Sequence, residues 1–209
     1  MLWIILALII LFSLGFFLMG TSIDHQNLRK KTLDKITGES FSRIYTSTDY
    51  STKLFFDEDA KKIKIVYISL DDLKNTDIKP LVKTYNFKDI VDVEIIIDGK
   101  AISKVSKGEA FLGASVGGAL AGSVGAIVGG GTASSSTKEY VKSIHLRLCV
   151  EDYDYPYYDI AFFTGAFYDP DLKTASKKSD PEVQKAFKEI ENWFRYFKLA
   201  IRETEKVAH

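Results

Sequence analysis

Residues 90–99 read IVDVEIIIDG. Val91, Val93, Ile95 and Ile97 fall on alternate positions, the period of a half-buried strand rather than of a helix. Asp98-Gly99 then supplies a tight turn. Further along, KSIHLRLCV (142–150) repeats the pattern. Ile144, Leu146, Leu148 and Val150 face one side, and His145, Arg147 and Cys149 the other. Together the two runs predict a sheet with one apolar face.

The segments around them extend it. STKLFFD (51–57) and KIKIVYI (62–68) flank the turn-rich EDAK and predict a hairpin. LVKTYNF (81–87) and YYDIAFF (157–163) read as strands, FSRIYTS (41–47) as a further one, and EDYDYPYYD (151–159) as a loop leading into the second of these. The chain then changes period. Ser179-Asp180-Pro181-Glu182 combines a cap residue, a first-turn proline and a following acid, which is a helix start. Val183, Phe187, Ile190, Phe194, Phe197 and Ile201 recur at steps of three and four and form one apolar face. Lys185, Glu189, Arg195 and Arg202 lie opposite.

Six or seven antiparallel strands closed by one amphipathic helix resemble a pleckstrin-homology-like (PH-like) barrel. The chain resembles uncharacterised bacterial membrane-anchored proteins with a PH-like or GRAM-like domain and a glycine-zipper insert. LFFDEDAKKIKIVYI, YNFKDIVDVEIIIDG, the glycine-rich stretch before VKSIHLRL and the final helix carry the resemblance, over roughly residues 40–204. It implies an α+β protein: a PH-like antiparallel β-barrel or sheet with a C-terminal amphipathic helix. The rival is a generic α+β sheet covered by a helix, and a fold alone does not assign a function.

Two uncharged segments flank or interrupt this body. Residues 1–23, MLWIILALIILFSLGFFLMGTSI, hold no charged side chain. A helix crosses the hydrocarbon core with ~20 apolar residues. No basic residue precedes the run and FLMG is a poor cleavage site, so a transmembrane signal-anchor is expected rather than a cleaved leader. Arg29, Lys30, Lys31 and Lys35 follow the span in a juxtamembrane connector, residues 24–39. By the positive-inside rule they place the body in the cytoplasm, on a single-pass inner-membrane protein. The same four residues are candidate headgroup contacts, with the lipid bilayer as a partner.

The second segment is an insert, residues 108–137, which interrupts the domain at 40–204 and leaves a short tail at 205–209. Gly113/Gly117, Gly118/Gly122 and Gly125/Gly129 are each spaced by four, which puts small residues on one helical face. A single crossing would split the strands on either side of it. A phosphate loop would need Lys-Ser/Thr or GxGxxG, and neither occurs. A flexible linker would lack Phe111, Leu112, Val116, Leu120, Val124, Ile127 and Val128. A glycine-zipper helical hairpin, dipping into a membrane or self-associating through those six glycines, is the expectation. A water-facing hairpin is the alternative.

No chemistry is expected. Lys+Arg and Asp+Glu balance at 28 each, so no basic bias points to nucleic acid. His25, His145 and His209 have no metal-ligand spacing, and Cys149 is the only cysteine. His145 and Cys149 share a strand face but stand ~13 Å apart along it, too far to act together. The acidic runs at 57–59 and 151–159 lack an EF-hand pattern. Catalytic residues, cofactor and metal are therefore expected to be none. Tyr153, Tyr155, Tyr157 and Tyr158 offer either a contact surface or sheet packing. The favoured function is a non-enzymatic membrane-tethered binding or scaffold protein with a protein partner or self-association, its ligand unknown. The alternative is a membrane-active effector assembling through the glycine hairpin, for example in phage exclusion.

Overall fold

The computed structural model describes residues 25–38, 41–69, 78–108, 140–165 and 175–207. The chain opens there with a helix, α1, over 25–34. Strands β1 (Arg43–Thr46), β2 (Thr52–Asp57), β3 (Lys62–Tyr67) and β4 (Leu81–Asn86) form a four-stranded antiparallel meander. A 3-10 turn, Phe87–Asp89, carries the chain into a second four-stranded sheet. Its order is β6 (Lys100–Ser106), β5 (Ile90–Ile97), β8 (Ser143–Val150), β9 (Tyr157–Thr164). Two short strands, β7 (Tyr140–Val141) and β10 (Ser176–Lys177), pair with each other. Helix α2 spans Pro181–Val207.

The alternation in 90–97 and 142–150 acts as predicted, with one adjustment. Ile144, Leu146 and Leu148 face Ile97, Ile95 and Val93 across the ladder. A register shift between Ile90 and Asp92 then leaves Val91 out of that ladder and pairs Ile90 with Val150. Ile90 is buried while Val91 is partly exposed, so a bulge replaces one residue of the expected apolar row with its neighbour. Asp98 (φ 50°) and Gly99 (φ 77°) both adopt the left-handed conformation that a two-residue hairpin turn requires. The outward face carries a row of alternating charge. Lys104 bonds Glu94 at 2.8 Å, and Arg147 bonds Asp159 through both carboxylate oxygens at 2.7 and 2.8 Å.

All six residues of the expected apolar face of α2 are buried. They meet both sheets. Phe56 of β2 packs its ring edge-on to Phe197 and Trp193 of α2, and Tyr45 of β1 stacks on Phe162 of β9 at 4.1 Å. Each large apolar side chain so buried contributes roughly 1.5–3 kcal/mol. The helix starts one residue later than the Ser179 cap implies. The Gln184 amide donates to Asp180 O, which makes Asp180 the cap, while its carboxylate accepts from Lys177 N.

The first sheet is covered on its second face too. Leu33 of α1 joins Phe55, Val66, Ile68 and Ile78 in a separate buried cluster. Lys53 Nζ donates to Leu33 O at 2.9 Å and Ile36 O at 2.8 Å, neutralising the carbonyl end of α1. Gly38 lets the chain pass close against the first sheet. A Cβ there would stand 2.3 Å from the Phe55 ring.

The expectations of a closed barrel and of a membrane anchor are corrected. The strands do not close into a barrel. Closure needs every strand paired on both sides, whereas β4 and β6 each pair on one side. Between β1 and β9, Thr48 N and the Tyr45 and Thr48 hydroxyls converge on Ala161 O in place of a ladder. The transmembrane signal-anchor is not carried by the structure either. Among the described residues no helix is long and apolar enough to cross a membrane, and the expected span at 1–23 lies outside them. The single-pass inner-membrane location, the cytoplasmic placement and the bilayer as partner rested on that helix, and they are set aside with it. The expected zipper glycines, Gly113, Gly117, Gly118, Gly122, Gly125 and Gly129, also lie outside the described residues.

The two ends of the chain that flank the insert lie at opposite ends of β5. β6 and β8 both run antiparallel to β5, so they are parallel to each other. Lys107 N bonds Val91 O at one end of β5, and Lys142 N bonds Asp98 Oδ1 at the other. At ~3.3 Å per residue these points are roughly 23 Å apart.

Candidate interaction surface

The loop between β8 and β9, EDYDYP, is held by a single carboxylate. Asp152 Oδ1 accepts the amides of Asp154 (2.9 Å) and Tyr155 (3.1 Å), a local turn that a short acidic side chain favours. Oδ2 accepts Lys83 Nζ at 2.9 Å and the Tyr85 hydroxyl at 2.8 Å. Alternation along β4 puts Lys83 and Tyr85 on one face, toward this loop. Since Tyr85 donates to Asp152, the 2.9 Å contact between the Tyr85 and Tyr158 hydroxyls has Tyr158 as donor. Two backbone bonds close the base: Val150 N to Pro156 O at 3.0 Å and Glu151 N to Asp89 O at 2.8 Å.

The electrostatics follow from the bonds. Lys83, then the Tyr85 hydroxyl, hold the Asp152 carboxyl well below the usual carboxylate range. Burial raises both the Tyr85 and the Tyr158 phenol. The carboxylate is thus ionised and saturated, and the phenols are neutral. Such a set holds a loop in place; it does not shuttle protons near neutral pH.

What the loop displays is aromatic. Tyr153 is fully exposed in the loop, and Tyr155 and Tyr157, which follow it, are exposed too. Tyr155 stacks on the buried Tyr158 at 6.4 Å, with the Lys83 ammonium 5.3 Å from its ring. The Arg147 guanidinium lies 4.8 Å from the Tyr157 ring while bound to Asp159. Two of the three exposed rings are therefore oriented before any partner arrives. Fixed tyrosines give large contact area at small entropic cost, which suits protein recognition.

The four basic residues after the expected anchor do not form one patch. Arg29 is 4% exposed and turns inward, donating from Nη1 to Asp49 O at 3.2 Å. Lys30, Lys31 and Lys35 are exposed, with Lys30 5.8 Å from the Tyr50 ring. Both acidic runs serve turns: Asp57 Oδ1 accepts the amides of Asp59 and Ala60, as Asp152 does in its loop. Among the described residues no three His, Cys, Asp or Glu side chains are grouped to hold a metal. Cys149 and His145 lie on the outward face of β8. Burial, then the facing Asp92, pushes the Cys149 thiol up to about 12, and burial lowers His145.

The sequence pointed to the tyrosines but not to the residues that hold them. Lys83 and Tyr85 are 69 and 67 residues from Asp152. The available signal was their two-residue spacing on an alternating strand.

Two antiparallel sheets that share one core with a C-terminal helix define a PH-like domain. The family model for the glycine zipper containing PH domain matches residues 42–164, more than half of the chain, and the chain belongs to that family. Two relatives align with 90% of this chain. One is an "Immunity protein" of Bacillus phage SPbeta, 33% identical over 187 residues that cover 90% of this chain and 88% of the relative. The other is an SPbeta prophage-derived uncharacterized membrane protein, YomJ, of Bacillus subtilis strain 168. It is 33% identical over 187 residues, 90% of this chain and 78% of the relative. No solved structure matches. The chain is thus a relative of phage-associated immunity and membrane proteins.

Proposed function

We propose that the chain is an immunity factor, a non-enzymatic protein that limits phage infection of the cell that makes it. It acts by contact, with the tyrosine loop as the recognition surface. The observation that carries this reading is the near end-to-end kinship with a phage immunity protein, which extends beyond the PH-like domain on both sides. The geometry supports contact over catalysis. Asp152, Arg147 and Lys104, whose pKa values are strongly shifted, are each engaged in bonds that position a loop or a sheet face. A binding function also fits three exposed tyrosines on a braced loop.

The test is expression of the intact chain in a Bacillus host that lacks SPbeta-type prophage, followed by challenge with an SPbeta-type phage. Plating efficiency falls on the expressing host if the reading is right. Equal plating with and without expression contradicts it.

A further inference from the structure

Residues 151–159 carry four carboxylates, and three of them are matched by a cation from outside the loop. Lys83 bonds Asp152 at 2.9 Å, Arg147 bonds Asp159 at 2.7 Å, and Lys107 reaches Glu151 at 3.2 Å. Two of these cations also lie against a tyrosine. Lys83 Nζ is 5.3 Å from the Tyr155 ring, and the Arg147 guanidinium is 4.8 Å from the Tyr157 ring. The same unit of carboxylate, cation and ring is therefore built twice, as Asp152–Lys83–Tyr155 and as Asp159–Arg147–Tyr157.

Tyr153 and Asp154 are left over. They are neighbours in the chain and both are exposed. The Asp154 amide donates to Asp152 Oδ1, but among the described residues no cation bonds its carboxylate. It feels Lys83 only at longer range, and Asp152 already neutralises that charge. An acidic partner would therefore meet Asp154 and find Lys83, Lys107 and Arg147 engaged. An apolar partner would strip water from the carboxylate and give it no hydrogen bond, which is costly. A cationic side chain pairs with the carboxylate and offers its charge to the Tyr153 ring. That completes a third unit of the kind built twice beside it.

We infer that Tyr153 and Asp154 receive an arginine from a basic segment of a partner protein, the cation that the chain itself does not supply there. The inference rests on the reading of the tyrosine loop as the recognition surface, and it adds the partner's charge. Arginine suits the place better than lysine. Its planar fork binds a carboxylate through two parallel bonds and stacks on an aromatic face. Arg147 does both, bonding Asp159 through two oxygens at 2.7 and 2.8 Å while lying against Tyr157.

The probe is a synthetic peptide of alternating arginine and glycine, with a glutamate–glycine peptide as its control. Amide shifts of the full chain, purified in a mild detergent, are followed by NMR. The arginine peptide moves Tyr153, Asp154 and Tyr155 saturably, and added salt weakens it. The glutamate peptide moves none of them. Asp154→Asn binds the arginine peptide up to about fivefold more weakly, as loss of an exposed ion pair requires. Tyr153→Leu weakens it about two- to fivefold through the lost ring face, and Asp154→Lys abolishes it. The Asp154 side chain makes no bond in the brace, so its variants keep the loop. Arginine-peptide shifts that are absent, that fall elsewhere on the chain, or that persist unchanged in Asp154→Lys overturn the inference. Plating separates it from the immunity reading. An intact chain and an Asp154→Lys chain that protect equally overturn the inference and leave immunity standing. An intact chain that does not protect overturns immunity, and the peptide titration still decides the inference.

Discussion

Tyr85 donates its hydroxyl proton to Asp152 Oδ2 at 2.8 Å, across 67 residues of sequence, and so fixes the loop that carries Tyr153, Tyr155 and Tyr157. One buried phenol thus connects the first sheet to the exposed face of the second.

Removing that hydroxyl should loosen the loop and cost stability. In Tyr85→Phe, Tyr158 loses its acceptor in a buried place, a loss of about 1–3 kcal/mol for an unsatisfied group. Denaturant unfolding reads the cost. Amide exchange reads the location: Asp154 and Tyr155 should exchange faster while the β5–β8 amides keep their protection. Uniform loss of protection would mean that Tyr85 supports the core and not the loop.

The same cluster predicts a pH response. The folded Asp152 carboxyl titrates below its unfolded value of ~3.9, so its contribution is present above that value and is lost as pH falls through the lowered one. Amide shifts of Asp154 and Tyr155, followed by NMR, should stay flat from neutral pH to about 4 and move only below it. A midpoint at or above the ordinary carboxylate value would show that Lys83 and Tyr85 do not hold the carboxylate.

Cys149 should be inert. With its thiol pushed up to about 12 by burial and then by Asp92, almost no thiolate exists at pH 8. Alkylation of the native chain at pH 8 should be far slower than that of the urea-unfolded chain. Asp92→Asn should raise the native rate, because removing the facing negative charge lowers the thiol pKa. Equal native and unfolded rates would contradict the burial.

Gly38→Ala should destabilise the junction of α1 with the first sheet. The new methyl meets the ring of Phe55, which is fully buried. Overpacking of this kind costs typically 1–3 kcal/mol. Thermal unfolding checks it, and an unchanged midpoint would mean that Phe55 yields.

Most strands were legible because their side chains alternate without interruption. β6 was not, since KAISKVS places small and polar residues, including the buried Ser103, where apolar ones would have marked a face. The bulge at Val91 was hidden for a related reason: both Ile90 and Val91 are apolar, and pairing alone decides which enters the core. Barrel closure depends on which edges meet, a long-range property that periodicity does not encode. Arg29 was read by its charge, and the sequence gives no sign that α1 buries it against the first sheet. The tyrosine loop was visible as a composition. Its rigidity was not, because Lys83 and Tyr85 come from another sheet.

The most direct test of the account is plating efficiency of an SPbeta-type phage on hosts expressing the intact chain or its Tyr153→Ala, Tyr157→Ala double variant. Both tyrosines are exposed, so the variant should fold and accumulate as the intact chain does. The account predicts that the intact chain lowers plating and that the variant, at equal abundance, does not. Equal protection by both would contradict the claim that immunity acts through the tyrosine loop.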